Sequence, residues 1–415
     1  LLLSSMNQPQ AVKSPLLKIL GVLIFAHLIV DWIASTVVPI FPDLERQMAL
    51  GEGGFIIGYI IWRVVDSGSQ MVFGYLGDRF DTSRMIWLGP CIAVVAYSFL
   101  GFVSSPVVAT IVLMIGGAGI AAFHPEAAVM AGSSMPNERN RAMALFALAG
   151  YIGQSIGPFY AGRLTAAHGN LKVLGWSTVW AIPALAIVAW GIRNRSKVHA
   201  QDSADEHDAP RSKKRPSLRE MLRGRERIMT QIVCSGALRI VPILGVPLAI
   251  SYLLKAAGES NASIGDFQSA FMFGLGIGGM FCALFVGPKI ERTILWFPPL
   301  LASIPVFAAG SVTGSTQLLI IGIAGALLGC TLPVFISYAQ RMMPQGQRLA
   351  SSLTMGFSWG VASIISGLAV KFLMASGNLD QIFWFFGICC ILCSIVCIGL
   401  PNAADVESPS APSGK

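Results

Sequence analysis

Charged residues are scarce in this chain. Asp, Glu, Lys and Arg make up 12% of its 415 residues, against 54% hydrophobic ones, where soluble domains run about 25% charged. A water-soluble fold of this length would have too little polar surface to cover itself, which excludes ordinary soluble enzymes, disordered chains and fibrous repeats. Cysteines outside apolar runs are also lacking. All eight (Cys91, Cys234, Cys282, Cys330, Cys389, Cys390, Cys393, Cys397) fall inside such runs, unlike the loop-borne framework of a disulfide-stapled secreted domain. The formal net charge is +8, yet there is no aromatic-interleaved basic face of the kind that reads nucleic acid. A cleavable signal is missing too, because the first apolar run, Ile19 to Ile40, is too long and has no small-residue cleavage site. Leu1 is not an initiator residue, so a start at Met6 is expected, and the first dozen residues are given no structural role. An integral membrane protein remains.

What is present is a succession of long apolar runs. A spanning helix needs roughly 20 apolar residues. Twelve runs qualify, near 17–40, 54–75, 84–103, 106–131, 141–166 and 172–192, then 229–254, 265–286, 293–311, 316–340, 349–374 and 380–400. The expected organisation is a tail (1–16), a six-helix bundle (17–192), a polar linker (193–228), a second six-helix bundle (229–400) and a C-terminal tail (401–415). Of 29 Lys and Arg, 11 lie between Arg193 and Arg227. With the amino terminus inside, 22 of them face the cytoplasm and five face outward (Arg46, Arg163, Lys172, Lys255, Lys371), with Arg63 and Arg239 within spans. That asymmetry predicts both termini cytoplasmic, in the inner or plasma membrane of a bacterial-like cell.

The two halves read as copies. Pro125 and Met135-Pro136 recur as Pro333 and Met343-Pro344 at a constant offset of 208, which also maps Asp31 onto Arg239. Parallel six-helix repeats describe a secondary transporter whose site lies between the halves near the midplane.

Ionisable side chains inside spans cost roughly 2.5–3.5 kcal/mol on insertion scales, so each is a functional candidate. His27 and Asp31 are four apart on one helix face and can pair. Asp31 lies about 21 Å from the cytoplasmic end of its span, near mid-bilayer. Burial opposes its charge and a protonated neighbour favours it, which suits a proton carrier; the alternative is a permanent pair that fixes helix packing. His124-Pro125-Glu126 sits about 8–10 Å inside the cytoplasmic end of the fourth run, 106–131, where Pro125 frees carbonyl groups. Proton relay or gating is expected there, against a structural kink with a cytoplasm-facing Glu126. Arg239 suits an anionic substrate, or an ion pair with Asp31 across the halves. Arg63 and Asp66, three apart, are weaker substrate-site candidates because they can neutralise each other.

Two segments carry motifs. Gly74-Tyr75-Leu76-Gly77-Asp78-Arg79-Phe80-Asp81, followed by Arg84, resembles the signature loop of the major facilitator superfamily, with Asp81 in place of the second glycine and only Arg84 of the trailing bases. Gly153, Gly157 and Pro158 resemble that family's antiporter motif, with helix packing as the plain alternative. Ala26-His27-Leu28-Ile29-Val30-Asp31-Trp32, Phe123-His124-Pro125-Glu126 and Tyr338-Ala339-Gln340 are similar to the fosmidomycin-resistance branch. The resemblance implies the major facilitator fold and a proton-driven efflux permease for small, often anionic, antimicrobial compounds. Those relatives are usually uncharged at Arg63 and Asp66.

Other patterns are set aside. Gly274, Gly276 and Gly279 spell a dinucleotide fingerprint inside an apolar span with no strand before it. Cys389, Cys390, Cys393 and Cys397 read as small-residue packing. The linker's His199 and His207 read as part of a solvated loop. The expectation is therefore an all-α, twelve-span carrier, monomeric and without cofactor or resident metal. Proton coupling is assigned to Asp31, His27, Glu126 and His124, substrate contact to Arg239, His124, Arg63 and Asp66, and gating to Gly74, Asp78, Arg79, Arg84, Gly153, Gly157 and Pro158. The alternative is a proton-coupled importer of an organic anion, or a divalent-metal carrier using His27, Asp31, His124 and Glu126. A membrane sensor or enzyme is disfavoured, since no soluble domain exceeds the linker.

Overall fold

The computed structural model describes residues 13–77, 80–135, 138–193, 224–287, 289–343, 350–351 and 353–402. Asp78, Arg79, Pro136, Pro344, Arg348, His199, His207, most of the linker and most of both tails lie outside the described residues. All regular structure among the described residues is helical. The first half contains α1 (Lys13–Ser35), α2 (Phe41–Gln47), α3 (Ile56–Gly77), α4 (Met85–Phe99), α5 (Pro106–Ser134), α6 (Arg139–His168) and α7 (Trp176–Arg193). The second contains α8 (Glu226–Ala256), α9 (Asn261–Phe285), α10 (Glu291–Ala309), α11 (Gly314–Gly329), α12 (Thr331–Met342), α13 (Ser358–Ala375) and α14 (Ile382–Ile398).

Among the described residues, eleven stretches are long and apolar enough to cross a membrane. Helix α3 has the length, at 22 residues, but Arg63, Asp66 and Ser67-Gly68-Ser69-Gln70 leave it less apolar than the rest. Local chemistry sets the ends. Pro106 occupies the first turn of α5, where a missing N–H is no loss. Gly169, at φ 66°, closes α6 by donating to the Thr165 carbonyl, the left-handed cap that glycine favours. Pro39 and Pro42 divide the first apolar run, so α1 stops at Ser35, a short turn follows at Val38–Ile40, and α2 continues beyond it. The run expected at 316–340 is likewise broken at Cys330, with Pro333 in the first turn of α12, whereas Pro125 lies within an uninterrupted α5.

Helix pairing repeats between the halves. Helix α1 packs on α6 and α7, α3 and α4 on α5, and α4 on α7. Correspondingly, α8 packs on α13 and α14, α9 and α10 on α11, and α10 on α14. The halves meet along α6 against α9 and α3 against α13, which is again a symmetric pair. Gly162 and Gly265 let α6 and α9 touch, since a Cβ on either would strike the other helix's backbone. Gly274 and Gly278 do the same for α9 against α11, so the dinucleotide spelling marks helix packing.

The first described residues of α1 and α8 lie at one end of the molecule; the opposite, far end carries the turns at 48–55, 169–175 and 257–260. There a ring of polar contacts joins the halves. Arg163 pairs with Asp266, and Lys255 Nζ stands 2.9 Å from Asp43 Oδ1. Asn261 donates to Asp43 and to Thr165 Oγ1. The Tyr252 hydroxyl donates to Glu45 Oε1 at 2.8 Å, and Ser251 Oγ to the Val38 carbonyl at 3.1 Å.

Candidate functional site

Helix α1 presents His27 and Asp31 on one face, and α6 closes over them because it offers glycine there. A Cβ on Gly150 would stand 2.5 Å from His27 Nε2 and 2.7 Å from Asp31 Oδ2. One on Gly153 or Gly157 would strike the Leu28 or Trp32 carbonyl. The residues of the antiporter motif thus seat α6 on α1 within the first half, while the Pro158 carbonyl faces Gly265 of α9.

His124 of α5 completes a cluster around Asp31. His27 Nε2 lies 3.3 Å from Asp31 Oδ2, His124 Nε2 lies 3.3 Å from Oδ1, and Gln154 Nε2 donates to Oδ2 at 2.8 Å. His27 stacks on Phe146 at 4.1 Å between ring centroids. Both imidazoles are anchored from behind: His27 Nδ1 is 2.8 Å from the Phe146 carbonyl and His124 Nδ1 is 2.9 Å from the Ile120 carbonyl. A carbonyl only accepts, so each Nδ1 carries its proton. Each Nε2 then meets the carboxylate either as an N–H or as a bare lone pair. Both contacts become hydrogen bonds only when the cluster holds two further protons; with one, a lone pair faces an anionic oxygen. A cation at its centre, two protons included, would relieve that contact.

His27 and Asp31 are buried, and His124 keeps 24% of its side chain exposed. The same three residues place one ligand atom each within 4.8 Å of one another. Backbone carbonyls behind two histidines are the outer support that metal-bound imidazoles usually have, so these residues could also hold a divalent ion. Glu126 is not among them. It accepts a hydrogen bond from Thr82 Oγ1 at 2.7 Å, tying α5 to the turn after α3.

Arg239 of α8 is 2% exposed. Its Nη1 donates to Thr331 Oγ1 at 3.3 Å, its guanidinium lies 4.6 Å from the centre of the Phe335 ring, and its Nε has no partner. Among the described residues it makes no ion pair, so the Asp31–Arg239 pair is not formed in this shape. Tyr151, which the sequence reading did not single out, lies against Gly276 and Gly279 of α9 and within electrostatic reach of both Asp31 and Arg239. Gln154, next to Gly153 on α6, carries no charge that would single it out.

The remaining candidates fall elsewhere. Arg63 Nη1 and Asp66 Oδ2 pair at 3.1 Å, with Arg63 beside the Trp62 ring; Asp66 is close enough to feel His124 but does not join the cluster. Gly74 faces Pro125, and Arg84 is exposed before α4. Asp81, in the turn between α3 and α4, is held below the usual carboxylate range by hydrogen bonds from Ser83. Cys389, Cys390, Cys393 and Cys397 are buried free thiols.

The two halves repeat one helix pairing, and the first of them encloses the cluster of His27, Asp31 and His124. Residues 23–351 match the family model of the Major Facilitator Superfamily, and the chain belongs to that family of transporters. It is 25% identical over 378 residues to the fosmidomycin resistance protein of Escherichia coli (strain K12), covering 86% of each chain. It is also 23% identical over 371 residues to the uncharacterized MFS-type transporter YfnC of Bacillus subtilis (strain 168), covering 87% of each.

Proposed function

We propose that the chain is a proton-coupled exporter of a small anionic organic compound, working by alternating access. In this reading it spans the cell membrane twelve times, α3 included, with both termini cytoplasmic. Units 17–192 and 229–400 move about the linker 193–228, and one chain suffices.

The observation that carries the reading is the enclosure of Asp31 by two imidazoles whose Nδ1 atoms are already committed. Two protons, one on each Nε2, satisfy it, and protons can leave through His124, the most exposed member. The far-end ring corresponds to a closed outer side, so the described shape receives substrate from the cytoplasm. Arg239, a buried cation lacking an anionic partner, is the natural seat for the substrate's negative charge. Export of a toxic compound would confer resistance, which is the property in the printed name of the Escherichia coli relative.

Purified protein in liposomes with an imposed pH gradient tests this. Phosphonates, other organic anions and divalent metals would be screened for counterflow, and the side of proton release gives the direction. Anion efflux driven by the gradient is expected, and Asp31→Asn abolishes it while remaining monodisperse. Normal coupled efflux by that variant ends the proton mechanism. Proton release on the opposite side makes the chain an importer.

A second reading rests on the ligand set itself. His27, Asp31 and His124 suit a divalent metal as cargo, now without Glu126. Metal uptake lost in both His27→Ala and His124→Ala, with no anion counterflow, would establish it.

A further inference from the structure

The contacts that join the halves at the far end are of two kinds. Arg163 and Asp266 pair in the open, with side chains 46% and 35% exposed, and exposed ion pairs contribute little. Glu45 is different. It is 1% exposed and makes no ion pair among the described residues. Its Oε2 accepts the Gly53 N–H at 2.9 Å, and its Oε1 accepts the Phe55 N–H at 2.8 Å and the Tyr252 hydroxyl at 2.8 Å.

The origin of these donors matters. Gly53 and Phe55 belong to the turn after α2, in the same half as Glu45, and travel with it. Tyr252 arrives from α8 in the other half and is itself 2% exposed. Of the three donors, only the tyrosine can be lost when the halves separate. While the end is shut, no water can replace that hydroxyl. Once it opens, water can.

We propose that the Glu45–Tyr252 hydrogen bond is a lock that holds the far end closed, and that the exposed Arg163–Asp266 pair beside it guides closure without holding it. A hydroxyl donating to a buried carboxylate is charge-assisted, and leaving the acceptor short of a donor penalises only the closed shape. The inference uses the alternating-access part of the proposed function, but neither its substrate nor its coupled ion.

The test uses the full chain in detergent, with no substrate and no gradient. Ser251→Cys serves as the reporter, because Ser251 is 0% exposed and touches Val38 of the other half. The rate of maleimide labelling is followed by mass spectrometry of the peptide that carries residue 251. In the reporter background, Tyr252→Phe should label about 10-fold faster or more, and Arg163→Ala less than about 3-fold faster. Glu45→Gln is the second variant; its amide oxygen can still accept from Tyr252 but without the charge, so it should label faster than the parent yet by less than Tyr252→Phe. Parental labelling rates in both lock variants overturn the proposal, as does an Arg163→Ala effect of equal size. A failed transport assay would leave the labelling result standing, and unchanged labelling would leave the transport reading standing.

Discussion

His124 sets its Nε2 3.3 Å from Asp31 Oδ1, and this contact between separate helices turns a pair on α1 into an enclosed cluster. Removing it should be felt in stability as well as transport. His124→Ala leaves Oδ1 short of a donor in a buried place, at a cost of about 1–3 kcal/mol. A lower unfolding midpoint in detergent and a smaller proton release per transported substrate are the expected measurements.

Glycine 150 admits no side chain. Its Cβ would fall 2.5 Å from His27 Nε2, so Gly150→Ala should cost about 1–3 kcal/mol as an overpacking change. Gly21→Ala in α1, where nothing lies within 4 Å of the new atom, should be neutral or gain up to about 1 kcal/mol. Thermal unfolding of the two variants separates a helix-wide effect from one confined to the cluster.

Arg239 should prove dispensable for folding and indispensable for anions. Its Nε has no partner, and a buried charge replaced by an apolar chain of similar volume is often neutral or stabilising by about 1–4 kcal/mol. Arg239→Met is expected to unfold no lower than the parent yet to lose binding of anionic substrates, as read by calorimetry with the compound found in the counterflow screen. Retained anion affinity would remove Arg239 from the site.

Glu126 is expected to be outside the proton path. Because its carboxylate is engaged by Thr82, Glu126→Gln should retain gradient-driven transport within about 3-fold, a change below 1 kcal/mol by the usual tenfold-per-1.4 relation. Thr82→Val should lower stability by about 1 kcal/mol with coupling intact. Loss of coupling in Glu126→Gln would bring it back into the relay.

The helices were legible because a long apolar run in lipid must satisfy its backbone internally, and a helix does so. Placement of His27 and Asp31 followed from a spacing of four, and of Arg63 and Asp66 from a spacing of three. The same geometry separates His124 from Glu126: residues two apart do not share a helix face, so turning His124 inward sends Glu126 away. Gln154 and Tyr151 escaped notice because neither is charged, and an amide or phenol in a span raises no alarm until its neighbours are known. The offset that relates Asp31 to Arg239 marks equivalent places in a repeat, and equivalent places need not touch. Nothing in the sequence showed that Glu45 would be covered by a tyrosine over 200 positions away.

The closed far end has a pharmacological corollary. A blocker dissolved in the compartment that bathes it meets a sealed rim of paired side chains, with Asp31 and Arg239 out of reach beneath. On the alternating-access reading, compounds aimed at those two groups approach from the opposite end, or wait for the rim to part.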